Sequence, residues 1–230
     1  MDASYVDLAD PSHLEFDYMR WMRIVLRAAR ARRVLHVGGG ACALARALAA
    51  ENSHPRAQAA PTPLQEVCEV NPEVLAVARA HFGLRRTRGL RVRVAEGRSC
   101  VARQPDASWD AIALDAFVAA TVPRHLITVE ALADAARVAP LVLVNVLDDR
   151  SARDVRLIAA ALAEAYPHVW GLGGRTGNTI LAGAARRLDL DRIATRAAAD
   201  PSPARLTGPA EMVRLVAGMS PLRDEKVSTG

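Results

Sequence analysis

Three consecutive glycines, Gly38, Gly39 and Gly40, constrain the fold of this chain more than any other feature of its sequence. They follow a short apolar run rich in Val and Leu, and they precede a stretch rich in Ala and Leu. The first run predicts a buried strand, and the second stretch, 41–50, predicts a helix. A strand, a glycine turn and a helix in this order are typical of the nucleotide site in doubly wound α/β domains.

Single positions of this turn fit the binding of a nucleotide. Gly38 lets the backbone turn sharply, and Gly40 lets a ligand approach the main chain because it carries no Cβ. Ala43 occupies the third small position of the G-x-G-x-x-G/A pattern, where it lets the helix pack closely on the strand. The unpaired N–H groups of the first helical turn would face the same ligand. The three glycines are therefore candidate cofactor-binding residues, with a plain structural turn as the alternative.

Alternating strands and helices predict the rest of the fold. The chain shows five strand–helix units and then two short strands, which a glycine-rich turn joins into a hairpin. This order predicts an α/β fold: a doubly wound, mostly parallel, seven-stranded sheet with an antiparallel C-terminal hairpin, Rossmann-like in type. We expect an N-terminal arm and helix over 1–30, a nucleotide-binding domain over 31–185, and a helical segment with a loosely packed tail over 186–230.

Acidic residues follow three of the predicted strands. Glu69, Glu96 and Asp115 end the second, third and fourth strands, and ligands of such sheets bind outside the carboxyl ends of the strands. Glu69, with Val70 beside it, suits a ribose, and Glu96-Gly97 suits the amino group of an adenine. Asp115 suits a cationic substrate or the proton of an attacking amine. The alternatives are a surface acid before a helix, a plain turn and a helix cap, respectively.

One Pro/Ala-rich stretch, 51–63, separates the glycine turn from Glu69. Its composition predicts a mobile loop. This insertion explains why the acid lies further from the glycines than the usual twenty or so residues.

Composition disfavours several classes of protein. The net charge of +5 comes from scattered basic residues, and only 4% of the residues are aromatic, so we expect no nucleic-acid partner. Cys42, Cys68 and Cys100 form no C-x-x-C pair and the histidines do not cluster, so we expect no metal site and no redox pair. Three free thiols are typical of a cytoplasmic protein. No apolar run has the length of a membrane span.

In their order, these motifs resemble those of the spermidine synthase family, aminopropyltransferases with the fold of class I S-adenosylmethionine-dependent methyltransferases. The resemblance runs from about Leu14 to Gly183 and includes the glycine turn. The segment 15–20 looks like the family's acidic-Phe-x-Tyr-Gln-Glu segment, which implies that Asp17 and Tyr18 bind the acceptor substrate.

The resemblance also implies roles for the three acids. It implies that Glu69 binds the ribose, that Glu96-Gly97 contacts the adenine, and that Asp115 is the first acid of the family's catalytic loop. It implies S-adenosylmethionine or its decarboxylated form as co-substrate without a metal, and a small-molecule amine or other acceptor. A homodimer would also fit the family.

Several positions depart from the family's pattern. The family's glycine loop continues Asp-Gly, and that Asp binds the aminopropyl amine, whereas this chain has Ala41 and Cys42. Met19 replaces a Gln that helps to bind the polyamine, and Val118 replaces the second acid of the catalytic loop. A diamine is a double cation that needs paired carboxylates in a partly dry cleft. We therefore expect that Asp115 alone supports little or no spermidine synthesis.

Four functions follow from these residues. The first is a spermidine synthase-like transferase that uses S-adenosylmethionine or its decarboxylated form. The second is a methyltransferase, which Ala41 favours because an Asp there would repel the carboxylate of ordinary S-adenosylmethionine. The third is a non-catalytic nucleotide-binding protein. The fourth is NAD binding, against which the terminal hairpin and Glu96-Gly97 argue.

Overall fold

One mixed sheet with helices on both faces forms the centre of this computed structural model, which describes residues 5–51, 64–82, 84, 87–148, 151–174 and 177–225. The strands are β1 (Val34–Val37), β2 (Gln65–Glu69), β3 (Leu90–Val94), β4 (Ala111–Leu114), β5 (Leu141–Asp148), β6 (His168–Gly173), β7 (Gly177–Ala184) and β8 (Arg205–Thr207). The helices are α1 (Asp17–Ala28), α2 (Ala43–Glu51), α3 (Pro72–His81), α4 (Gly97–Ala102), α5 (Val129–Val138), α6 (Arg153–Ala165), α7 (Leu190–Ala198) and α8 (Pro209–Val216). A 3₁₀ turn covers Arg124–Leu126.

The strand order in the sheet is β3-β2-β1-β4-β5-β7-β6-β8. The five strands from β3 to β5 run parallel, whereas β7 runs antiparallel to both β5 and β6. This arrangement confirms the predicted doubly wound, mostly parallel α/β fold with an antiparallel C-terminal hairpin. The strand order reverses between β1 and β4, so the carboxyl ends of these two strands form the switch point where ligands bind in such folds.

Local sequence explains the central elements. All four residues of β1 and all four of β4 are buried, as expected of strands in the middle of a parallel sheet, and His36 is the one polar residue among these eight. Asn71 caps α3, because its side chain accepts hydrogen bonds from the main-chain N–H groups of Glu73 and Val74, and Pro72 follows at the first helical position.

Apolar side chains cover both faces of the sheet. One cluster joins the sheet to α4, α5, α6 and α8, and a second joins it to α1, α2 and α7. Along β1, Leu35 and Val37 belong to the first cluster and Val34 to the second. Because both faces are covered, the carboxyl-end edge is left to carry the loops that contact a ligand.

The C-terminal part differs from the expected loosely packed tail, and the sheet has eight strands where seven were predicted. The additional strand, β8, is three residues long and pairs with the outer edge of β6. Met212 on α8 is buried against the sheet, and the indole N–H of Trp21 donates to the main-chain oxygen of Ser202 over 2.9 Å. The sequence did not predict β8 and α8, because these elements are short and lie among prolines, which are typical of loops. Packing stabilises both elements, and neither has a long periodic pattern.

The predicted mobile loop lies almost wholly outside the described residues, since only Glu51 of the stretch 51–63 is described, as the last residue of α2. Among the helices that the structure describes, none has the length and apolar character needed to cross a bilayer.

Candidate active site

The glycine turn lies directly against the end of β4. Gly38 and Gly40 have φ angles of 80° and 47°, which residues with a Cβ rarely adopt. The N–H of Gly38 donates to the main-chain oxygen of Cys68 over 2.9 Å. A Cβ on Gly38 would overlap the main-chain oxygen of Asp115 and lie 2.8 Å from Cα of Ala116. The turn therefore brings the candidate cofactor-binding glycines and the candidate catalytic acid together.

Glu69 also lies at the glycine turn, where its buried carboxylate holds the loop. Its Oε2 accepts hydrogen bonds from the N–H groups of Gly39 and Gly40, at 3.1 and 3.2 Å. Its Oε1 accepts from the N–H of Asn71 at 2.9 Å. Val70, which follows it, is exposed to 65%. The carboxylate thus occupies the place where the loop offers N–H groups to a ligand, and its binding of a ribose remains a prediction.

Glu96 and Gly97 have structural roles at the start of α4. The Glu96 carboxylate accepts hydrogen bonds from the N–H groups of Arg98 and Ser99, at 2.7 and 2.8 Å, and its Oε1 lies 3.0 Å from Nε2 of His125. Burial raises the pKa of Glu96, but these hydrogen bonds outweigh it and hold the pKa below its ordinary value. A Cβ on Gly97 would collide with Val37 on β1. Contact with an adenine stays a prediction for both residues.

Asp115 stands at the centre of a small polar cluster. Its Oδ2 accepts a hydrogen bond from the hydroxyl of Tyr18 at 3.1 Å, and its Oδ1 accepts one from Nδ2 of Asn145 at 2.8 Å. The structure therefore brings Tyr18, a predicted substrate-binding residue, and Asp115, the predicted catalytic acid, together. Asp17, the other expected substrate-binding residue, accepts a hydrogen bond from the N–H of Tyr18 at 2.7 Å. Asp17 therefore stabilises the first turn of α1, and its contact with a substrate is still a prediction.

Burial changes the acidity of this cluster. It raises the pKa of Asp115, and the hydrogen bonds from Asn145 and Tyr18 oppose that rise. Burial also raises the pKa of Tyr18, and the negative charge of Asp115 raises it further. Tyr18 therefore stays a neutral phenol that donates to the carboxylate. A carboxylate with a raised pKa is a stronger proton acceptor than an exposed one, which suits a general base.

Asn145 was not among the residues predicted from the sequence. It lies in β5, and its side chain is only 1% exposed. Leu114 of β4 pairs with Val144 of β5, so Asp115 and Asn145 occupy the next position of two neighbouring parallel strands. A single amide within the run Leu141–Asp148 was the available signal, because buried polar groups require a partner.

The positions that depart from the family's pattern supply no polar group to the cluster. Ala41 and Met19 are buried at 3% and 6% exposure, and Val118 is exposed to 68%. Burial raises the pKa of the Cys42 thiol to about 12, and the nearby charge of Glu69 adds to this. Cys42 is therefore an unreactive core residue at neutral pH.

Two cysteines are paired, which corrects the expectation of three free thiols. Cys68 and Cys100 form a disulfide with their Cα atoms 6.5 Å apart, and Cys42 is free. The bond joins the end of β2 to α4. Sequence spacing concealed it because the two residues are 32 positions apart and only the sheet topology makes them neighbours. Within the described residues, no group of three or more His, Cys, Asp or Glu side chains is placed to hold a metal ion.

No sequence-family model and no curated protein sequence matches the chain. Its structure is similar to a probable spermidine synthase from Corynebacterium glutamicum, with a TM-score of 0.82 and 28% identity over 96% of this chain and 84% of that chain. A spermidine synthase in complex with the transition state analogue AdoDATO has a TM-score of 0.59 and 16% identity over 87% of this chain and 72% of that chain. Human methyltransferase-like protein 13 in complex with SAH has a TM-score of 0.58 and 18% identity, over 92% of this chain and 95% of that chain.

The sheet order and the structural similarities define the class: an α/β protein with the fold of class I methyltransferases. Within that class the chain has a spermidine synthase-like fold. The resemblance stated from the order of sequence motifs is thereby confirmed at the level of the fold.

Proposed function

We propose that this chain is a transferase that binds S-adenosylmethionine or its decarboxylated form and passes a group to a small-molecule acceptor. The observation that carries this proposal is the contact between the glycine turn and Asp115. The turn at Gly38 overlies the end of β4, so a donor bound at the turn would present its reactive end to a carboxylate that Tyr18 and Asn145 hold in place.

The residues at the turn fit the nucleoside part of such a donor. Oε2 of Glu69 already accepts two hydrogen bonds from loop N–H groups, whereas Oε1 accepts one, from the N–H of Asn71, and keeps a lone pair for a ribose hydroxyl. Glu96 and Gly97 begin the next helix at the same edge of the sheet, where an adenine would lie in this fold. Hydrogen bonds from hydroxyls to an ionised carboxylate are stronger than those to a neutral group.

Asp115 supplies the acid–base chemistry. Its half-buried carboxylate would orient an acceptor amine or hydroxyl and take up the proton that this group loses on attack. Tyr18 and Asn145 keep the carboxylate at one position, so that the acceptor is aligned before it reacts. The donor's sulfonium supplies an activated carbon and a neutral leaving group, so alignment is the main task left to the protein.

Methyl transfer is the second candidate, and Ala41 favours it. The side chain after the glycine turn is a methyl group, so no carboxylate there would repel the carboxylate of ordinary S-adenosylmethionine. The same residue gives no anion to pair with the amine of the decarboxylated donor. Exposed Val118 adds no second acid for a diamine. These residues favour an acceptor with one reactive amine or hydroxyl over putrescine.

A transfer assay with both donors tests the proposal. Purified protein is incubated with labelled S-adenosylmethionine or its decarboxylated form and a panel of small amines and alcohols. We expect transfer from at least one donor, and we expect Asp115→Asn to lower the rate by 10²–10⁴-fold, the usual contribution of a general base. The control is Asp106→Asn, because the Asp106 side chain is exposed. Asp110 is unsuitable as a control because its carboxylate accepts hydrogen bonds from main-chain N–H groups of the loop before β1. If neither donor supports transfer, the proposal is wrong, and a non-catalytic nucleotide-binding protein becomes the remaining candidate.

A further inference from the structure

We infer that Asn145 is a positioning residue whose side-chain amide pairs with Asp115 in both protonation states of that carboxyl group. The inference rests on the proposed function only in giving Asp115 a proton to exchange. The geometry itself concerns the free protein and can be tested without any donor or acceptor.

A buried asparagine at position 145 lowers the stability of the fold relative to an apolar residue, which suggests a functional role for its amide. Its side chain is 1% exposed, between the apolar residues Val144 and Val146 of a central strand. Burying a primary amide with incomplete hydrogen bonding destabilises a protein, and an apolar side chain would avoid this cost. The amide gains one strong contact, the 2.8 Å hydrogen bond from its Nδ2 to Oδ1 of Asp115.

The other end of the amide is unused. Oδ1 of Asn145 is buried and has no hydrogen-bond partner among the residues that the structure describes. A half-turn of the amide would therefore break no hydrogen bond at Oδ1. It would exchange the donor that faces Asp115 for an acceptor.

This exchange matches the two states of a general base. An ionised Asp115 can only accept hydrogen bonds, and the Nδ2–H group of Asn145 donates one to it. After Asp115 takes up a proton it becomes a donor, and a rotated Asn145 would present Oδ1 to that O–H group. A lysine or an arginine at position 145 could pair with the carboxylate alone, because neither side chain can accept a hydrogen bond.

The groups around Asp115 are consistent with such an exchange. Tyr18 on α1 faces it with a hydroxyl, which also donates or accepts. Asp17, which precedes Tyr18 on α1, is an acid whose negative charge raises the pKa of the Tyr18 hydroxyl. The glycine turn faces Asp115 with main chain only. Across the described segments, no basic side chain forms an ion pair with Asp115 that would fix it as an anion.

Carbon-13 NMR of carboxyl-labelled aspartate tests this role in the free protein. The Asp115 signal is identified by its loss in Asp115→Asn, and its titration is followed in the wild type and in Asn145→Leu. The leucine has nearly the same size but donates no hydrogen bond to the anion. We expect its titration midpoint to rise by about 1 pH unit, because the variant loses a stronger hydrogen bond to the anion and a weaker one to the protonated acid.

Asn178→Leu is the matched control, since Asn178 lies on neighbouring β7 and pairs with Leu147. It should leave the midpoint of Asp115 unchanged. An unchanged midpoint in Asn145→Leu would overturn the inference, and so would a rise of about 2 pH units, because Asn145 would then serve the ionised form alone. If this variant does not fold, the side-chain amide signals of Asn145 in the wild type replace it, and they should shift with the same midpoint as Asp115. Amide signals that stay unchanged across this midpoint would contradict the inference, whether or not the protein binds a nucleoside.

Discussion

Gly38 and Asp115 touch through their main chains, so that the glycine turn and the proposed base form one rigid unit. A Cβ added to Gly38 would overlap the carbonyl oxygen of Asp115, and the N–H of Asp115 donates to the oxygen of Val37, the residue before the turn, over 2.9 Å. The position of the nucleotide turn and that of the acid are therefore set by the same pairing of β1 with β4.

Gly38→Ala should both destabilise the protein and displace Asp115. The left-handed backbone at Gly38 costs a residue with a Cβ about 1–2 kcal/mol, and the overlap with Asp115 adds a packing cost of about 1–3 kcal/mol. Gly177→Ala separates the two effects, because Gly177 has a φ of 96° but nothing within 4 Å of an added Cβ. Urea unfolding should show the larger loss for Gly38→Ala. Equal losses for the two variants would mean that the contact with Asp115 has no energetic weight.

Stability should fall in mild acid because of His36. This side chain lies in β1, 4% exposed, with Nε2 at 2.9 Å from Oε1 of Gln65. Burial lowers its pKa from 6.5 to about 4, against the opposing effect of the hydrogen bond with Gln65. As the pH falls, the unfolded chain therefore binds the proton before the folded chain does. The contribution of neutral His36 to the free energy of unfolding is complete above pH 6.5 and is lost as the pH falls toward 4. The loss in the free energy of unfolding is about 3 kcal/mol.

The pH dependence can be measured by urea unfolding at several pH values between 7 and 4. His36→Gln should flatten this profile, because glutamine does not titrate and can still hydrogen-bond to Gln65. His168→Gln is the control, since that side chain at the start of β6 is only half-buried, and it should keep the wild-type profile. If the stability of His36→Gln depended on pH as that of the wild type does, groups other than His36 would cause the acid sensitivity.

The disulfide between Cys68 and Cys100 should be detectable and should stabilise the fold. Thiol titration of the denatured, non-reduced protein should find one free cysteine, Cys42, and three after reduction. Closing a loop of this length restricts the unfolded chain and is worth about 2–4 kcal/mol. Cys68→Ser with Cys100→Ser should therefore lower the stability by that amount, with no further loss on adding a reductant. Three free thiols without reduction would show that the pair is open in solution.

Putrescine should be a poor acceptor. Ala41, Met19 and Val118 stand where the family places polar groups for the cationic atoms of donor and acceptor, and each missing partner leaves an amine desolvated without compensation. Purified protein with decarboxylated S-adenosylmethionine and putrescine should form spermidine far more slowly than about 1 per second. Turnover at or above that rate would require other carboxylates, such as Asp17, to line the cleft.

Much of the fold could be predicted from local sequence patterns. The apolar runs of β1 and β4, the cap at Asn71 and the glycine turn each depend on residues close together in the chain. The contact between Tyr18 and Asp115 was not predicted. It could not be derived from spacing, because the two residues are 97 positions apart and meet only through the packing of α1.

The rest depended on contacts between distant segments. Asn145 joined the site because β5 lies next to β4, and Cys68 met Cys100 because α4 packs under β2. The short strand β8 had no periodic pattern of its own to reveal it. Glu96 fitted either a cap or a ligand contact by sequence, and only the structure shows its hydrogen bonds to Arg98 and Ser99.

Glu69 offers the sharpest test of the nucleoside site. Glu69→Ala removes the carboxylate that holds the glycine turn and would accept the ribose hydroxyls, and losing such charge-assisted bonds costs about 1.5–3 kcal/mol. The affinity for methylthioadenosine should fall about 10- to 150-fold. Glu73→Ala, an exposed acid in the first turn of α3, is the matched control and should bind as the wild type does. Circular dichroism should show that both variants are folded.

Calorimetric titration of the wild-type protein with four ligands tests the central claim most directly. The ligands are S-adenosylmethionine, its decarboxylated form, methylthioadenosine and NAD. We predict that methylthioadenosine and at least one of the two sulfonium donors bind, that NAD does not, and that Glu69→Ala weakens every binding event. Binding of NAD with no heat from the other three, or an unchanged affinity for methylthioadenosine in Glu69→Ala, would contradict the account.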